Sequence, residues 1–404
     1  MLISGHRISA IGKWPDLRRR FHGRTVDLGE VAVLPGLVNA HCHLDYTAMA
    51  GHLPPPKIFT DWLKLITELK SGWTHDDYRL SWMLGADMLL AGGTTTVADI
   101  EASPDLLPAV WRSTPLRIIS FLEMIGITGK RSPRQILVET HKKIESLPKG
   151  SLWQTGLSPH APYSTLPELL SICAAVARQK RWPVCMHIAE SELEHHMFSK
   201  GAGPMHAWLQ RSGRDMSDCG RRTPLAHVAA TGILNDRFLA VHLNYLGRGD
   251  IPLLRNSGAH VVHCPRSHAY FAHKKFPLAR LRAEGVNVCL GTDSLASVLK
   301  QRKQPVSLSM FEEMRALMSA NPEVSPRRAL NMATVSGARA LGLAGRVGEL
   351  SRGAFADLIA VPLGPSDNVF EAVAHHSGPV IASMIHGAWK IHPRNGEAAP
   401  HRPN

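Results

Sequence analysis

The chain has 404 residues, 44% hydrophobic and 20% charged, with 46 Lys and Arg against 33 Asp and Glu for a net charge of +13. This composition excludes a disordered chain and a helical membrane protein, whose spans need far longer apolar runs than Phe238 to Val241 or Val286 to Leu290. The basic residues fall in short scattered groups such as Arg18-Arg19-Arg20 and His273-Lys274-Lys275. They predict a generally basic surface suited to an anionic small substrate, with no nucleic-acid module.

Residues 1–33 carry short apolar runs broken by Gly, Pro and Arg, with no signal-peptide core, so a cytoplasmic protein is expected. The six cysteines lack any Cys-x-x-Cys pair and sit mostly in apolar runs, as free thiols of a reducing compartment do. Apolar, β-branched runs predict strands at 31–44, 94–100, 116–124, 153–158, 183–189, 238–246, 259–265 and 286–292. Helical patterns at 77–90, 134–147, 166–181, 278–284, 308–319 and 326–341 alternate with them or follow. Ser164 and Thr165 are cap candidates for the third helix, and Ser325-Pro326 opens the last with proline at its first turn.

Eight strands in such alternation predict an α/β fold, a (β/α)8 TIM-type barrel over residues 34–343. The competing doubly wound sheet would carry a Gly-x-Gly-x-x-Gly turn, which is missing after the first strand. Residues 1–33 and 344–404 are expected to form one composite small β domain, a sandwich built by both termini, with the last fifteen or so residues frayed.

The first strand ends in His41-Cys42-His43, and residues i and i+2 of a strand share a face. Either a metal site or two unrelated histidines explains that pair alone. His187 in the fifth strand, His242 in the sixth and Asp293 after the eighth bring further imidazoles and a carboxylate to the same barrel mouth. His41, His43, His187 and Asp293 make a three-nitrogen, one-oxygen set for one divalent metal, with a position left for water. Such a metal lowers the pKa of its water to about 7 and so generates a nucleophile at neutral pH.

Several segments then resemble the amidohydrolase superfamily, in its S-adenosylhomocysteine, methylthioadenosine and aminodeoxyfutalosine deaminase branch. They are Pro35 to His43, Gly92 to Thr96, Gly156 to Tyr163, His187 to Glu190, His263-Cys264-Pro265, Gly291-Thr292-Asp293 and Gly348 to Leu358. The resemblance implies one zinc, with iron as the alternative, on His41, His43, His187 and Asp293. It implies that His242 orients or deprotonates the attacking water, that Glu190 shuttles a proton to the ring nitrogen, and that Asp293 also accepts the water's proton. The implied enzyme is a hydrolase of carbon–nitrogen bonds in cyclic amidines, releasing ammonia from an aminopurine nucleoside. Another heterocycle (guanine, a pterin, a triazine) is the alternative substrate, and a non-catalytic binding barrel the remote one. The fourth strand ends in Ser158-Pro159-His160 and lacks the lysine of two-metal relatives, so one metal is expected.

Substrate contacts are expected from Trp62, Glu68, Glu123, His160, Arg266 and Ser294. Arg266 suits either a substrate carboxylate or a structural salt bridge. Arg266-Ser267-His268 and Ser294 depart from the branch's usual residues and leave the pocket's shape open. Partners are expected to be a small heterocycle and further copies of the chain in a homo-oligomer.

Overall fold

The computed structural model describes residues 1–21, 23–127, 131–300, 305–364 and 368–393; the end read as frayed falls mostly outside them. Its strands are β1 (Leu2–Ser4), β2 (Arg7–Ala10), β3 (Val31–Pro35), β4 (Leu37–Cys42), β5 (Thr94–Glu101), β6 (Arg117–Met124) and β7 (Trp153–Pro159). They continue with β8 (Val184–Ile188), β9 (Phe238–His242), β10 (His260–His263), β11 (Val288–Leu290), β12 (Leu358–Pro362), β13 (Ala382–Ile385) and β14 (Ala388–Ile391). Strands β4 to β11 form one eight-stranded parallel sheet in chain order. An isolated parallel bridge from Cys42 to Asp293 brings its two edges together, so the sheet is a nearly closed barrel with helices outside. A four-stranded antiparallel sheet, in the order β14-β13-β12-β3, and the β1–β2 hairpin come from the two ends of the chain. Ile8, Ala354, Leu358 and Met384 form the apolar core they share.

The run predicted as one strand at 31–44 is two strands in two sheets. Gly36 breaks it: its N–H donates to Asp357 of the small sheet, and a Cβ there would lie 2.0 Å from the Thr95 hydroxyl. The predicted helix at 326–341 also splits, into Pro326–Met332 and Val335–Ala340, around Thr334. Ser164 and Thr165 do not cap the helix Pro167–Lys180, because both hydroxyls turn back to Ala161 O. Three short helices between β8 and β9, Glu192–Lys200, Pro204–Arg211 and Pro224–Ala229, were not predicted. The first two pack on Phe59 and Tyr163 at the barrel mouth. All six cysteines are buried free thiols, as expected. Among the described residues no helix is long and apolar enough to cross a membrane.

Candidate active site

The barrel seam builds one corner of the site. Gly291 N–H donates to His263 O, and the N–H groups of Thr292 and Asp293 both donate to His41 O. Asn39 and Thr292 exchange two further hydrogen bonds, of 2.8 and 3.1 Å. A side chain at Gly291 would meet the His41 backbone at 2.8 Å, so only glycine lets the strands approach this closely. The chain then turns through Asp293 at φ +54, a left-handed conformation that aims the carboxylate into the mouth.

His41, His43 and His187 present ring nitrogens within 4.8 Å of one another, all buried. His43 Nε2 lies 3.2 Å from His187 Nε2, and Asp293 Oδ1 lies 3.7 Å from both His41 Nε2 and His43 Nε2. The other carboxylate oxygen of Asp293 accepts from the hydroxyls of Ser267 and Ser297 at 2.6 and 3.0 Å. His187 Nδ1 sits 2.9 Å from His160 O, an acceptor that requires Nδ1–H and leaves the Nε2 lone pair facing the cluster. Burial, with the neighbouring imidazoles, pushes His43 well below the usual histidine range and His187 down to about 3. Burial alone would raise Asp293, but the imidazoles of His41, His242 and His43 around it hold it well below the usual range. His41 Nε2 is a buried atom with no hydrogen-bond partner. Three imidazoles and a carboxylate aimed at one point fit a divalent cation, which would give that nitrogen its partner.

Beside this cluster, Glu190 Oε1 lies 3.6 Å from His242 Nε2, and both with Asp293 form a second close group. Burial raises Glu190 well above the usual carboxyl range, reinforced by Asp293 and Glu194, while burial lowers His242. A carboxyl raised by burial thus stands next to an imidazole lowered by it, the pairing that proton transfer needs.

A cavity of about 130 Å³ opens over these groups. Trp62, Glu123, His160 and Ser294 line it. His160 Nδ1 is 2.6 Å from the Ser164 hydroxyl, and its Nε2 is 3.9 Å from Glu123. Glu68 is exposed and does not line the cavity; Lys70 does. Helical spacing explains the exchange: Trp62, Ile66 and Lys70 follow at i, i+4 and i+8 along the helix Phe59–Ser71, and Glu68 falls off that stripe. Lys70 Nζ donates to the Tyr46 hydroxyl and sits 4.6 Å from that ring's centre. Arg266 also lies outside the cavity wall, and its guanidinium pairs with Glu313 at 2.5 Å and Glu312 at 2.8 Å. His268 turns away to Lys274 O. Tyr46, Lys70 and Tyr163 are among the lining residues that sequence reasoning missed. A larger hollow of about 760 Å³ lies at the opposite end of the strands, near Trp153, Arg237 and His260, away from the imidazole cluster.

Residues 32–390 match the amidohydrolase family over most of the chain. The chain belongs to that family. A 5-methylthioadenosine/S-adenosylhomocysteine deaminase of Syntrophobacter fumaroxidans is 32% identical, over 95% of this chain and 86% of that one. A relative of the same name from Teredinibacter turnerae is 30% identical, over 91% and 80%. Among solved structures, a zinc-bound adenosine deaminase from Xanthomonas campestris superposes with a TM-score of 0.83 at 27% identity, covering 97% and 88% of the two chains. An aminofutalosine deaminase from Helicobacter pylori reaches 0.84 at 21% identity, covering 96% and 94%, and shares the fold.

Proposed function

We propose that this amidohydrolase is a zinc-dependent hydrolytic deaminase of adenine nucleosides with a neutral 5′ substituent, methylthioadenosine above S-adenosylhomocysteine. The observation that carries the reaction type is the buried Glu190 carboxyl, which faces the cavity 3.6 Å from His242 and beside the His41, His43, His187 and Asp293 donor set. A single zinc on those four residues supplies Lewis acidity and brings the pKa of a water down to about 7.

The side chains account for the rest. His242 holds the attacking water, and Asp293 takes its proton. Glu190 donates a proton to the ring nitrogen adjacent to the amino-bearing carbon, which makes that carbon electrophilic. Once the C–O bond forms, the proton held by Asp293 passes to the amino group, the C–N bond breaks with loss of ammonia, and the proton of the new hydroxyl returns to Glu190 as the carbonyl forms. His160 contacts a purine nitrogen, while Trp62 packs against the base. The sequence also left room for a carboxylate-bearing 5′ group held by Arg266. The engagement of Arg266 with two glutamates argues against it.

Homo-oligomeric assembly and a cytoplasmic setting belong to the same reading. The test is an ammonia-release screen of zinc-loaded protein against methylthioadenosine, S-adenosylhomocysteine, aminodeoxyfutalosine, guanine, a pterin and a triazine. Methylthioadenosine is expected to have the highest kcat/KM. Turnover confined to guanine, the pterin or the triazine would sink the nucleoside assignment, and a preference for the carboxylate-bearing nucleosides would sink the neutral 5′ group.

A further inference from the structure

Glu190 projects from backbone that no strand ladder supports. It lies two residues beyond the end of β8 and follows Ala189, whose φ of +50 is left-handed and costly for an alanine. Its main chain is held instead by two side chains. Glu194, fully buried on the helix Glu192–Lys200, accepts the Ala189 N–H at 2.9 Å through Oε1 and the Glu190 N–H at 3.0 Å through Oε2. Asn244, also buried, donates through Nδ2 to the Glu190 carbonyl at 3.0 Å. Asn244 follows His242 and Leu243, themselves at φ +72 and +49, so the exits of β8 and β9 are tied to each other. The N–H of Leu243 to Ile188 O and that of Tyr245 to Ala189 O complete the tie.

Among the described residues no Lys, Arg or His lies within ion-pair distance of Glu194. A buried carboxyl without a cation is a costly way to satisfy two amides. What it supplies is two acceptor oxygens on one side chain, one for each of two consecutive N–H groups.

Resting on the reading of Glu190 as the proton carrier, we propose that Glu194 and Asn244 are its positioning residues, locking the peptide from which the Glu190 carboxyl reaches the cavity. Neither touches the substrate. Both act by keeping the carboxyl within reach of the ring nitrogen and of His242.

A double-mutant cycle tests this. Glu194→Gln keeps one carbonyl acceptor and sets an NH2 against the other amide. It should lower kcat about 10- to 100-fold, the usual cost of misplacing a reacting group by around 1 Å, with KM and zinc content unchanged. Introduced into Glu190→Gln, the same change should alter kcat by less than about twofold, because residues that act through one group are not additive. Equal losses in both backgrounds would overturn the proposal, as would wild-type kcat in Glu194→Gln. If circular dichroism shows Glu194→Gln unfolded, Asn244→Ala runs through the same cycle with the same expectations. Glu190→Gln at wild-type rate would overturn both the proton-carrier reading and the positioning role. An impaired Glu190→Gln with an unaffected Glu194→Gln overturns the positioning role alone.

Discussion

Replacing Arg266 by alanine separates the two roles that the sequence left open for it. The guanidinium holds Glu313, whose side chain is completely buried on the helix Met310–Ala320, at 2.5 Å, and Glu312 at 2.8 Å. Removing one member of a buried pair leaves an uncompensated charge, which costs about 3–5 kcal/mol. The Arg266 N–H survives the substitution and still donates to Glu313 Oε2 at 3.0 Å, so the lower end of that range is expected. Burial raises Glu313 to about 6 against the pull of the arginine, and without Arg266 it rises further. A carboxyl raised above its unfolded value loses stability only where the unfolded chain would be ionised. The unfolded value is common to both proteins, so the deficit relative to wild type is full above the variant's raised Glu313 pKa, shrinks as pH falls through it, and is smallest below about 6, the wild-type value.

Chemical denaturation at several pH values, with kcat/KM for methylthioadenosine and S-adenosylhomocysteine, reads both consequences. The two substrates should be affected alike. Arg266→Met with Glu313→Leu, which removes both charges, should recover most of the stability. A variant as stable as wild type that selectively loses S-adenosylhomocysteine would refute the structural role and place the guanidinium on the substrate.

Glu190→Gln should keep its zinc, measured by elemental analysis, and lose about 10²- to 10⁴-fold in kcat, the range for a missing general acid. An unchanged rate would remove Glu190 from the mechanism. Chelation should abolish ammonia release and added zinc restore it, while His187→Asn should lower zinc content; full activity in a metal-free sample would rule out the metal centre. Asp357→Ala should destabilise the fold by about 3–5 kcal/mol through its buried partner Arg117, 3.1 Å away, without changing kcat of the folded protein. An unchanged unfolding midpoint would contradict the link between barrel and small sheet.

Much of the site was legible because its parts sit where strand periodicity is read easily. His41 and His43 share a face by alternation, and His187, His242 and Asp293 each follow an apolar run whose carboxyl end must face the barrel mouth. Fold class followed from the same runs. The helix face was misread at Glu68, where a stripe counted from Trp62 points to Lys70. The strand at 31–44 was misread because both its halves are apolar, and only the packing of Gly36 against Thr95 shows that they belong to different sheets.

The residue types at the strand ends were thus determined locally: which groups could bind a cation, and which could carry a proton. Partnership was decided by tertiary structure. Arg266, Glu194 and Lys70 are all charged residues in sequence, with nothing local to separate a substrate contact from a structural tie. Their roles depend on residues 47, 4 and 24 positions away, respectively, for Glu313, Glu190 and Tyr46. An ion pair or hydrogen bond acts over a few ångströms of space, and the chain distance between its members carries no trace in the residues themselves.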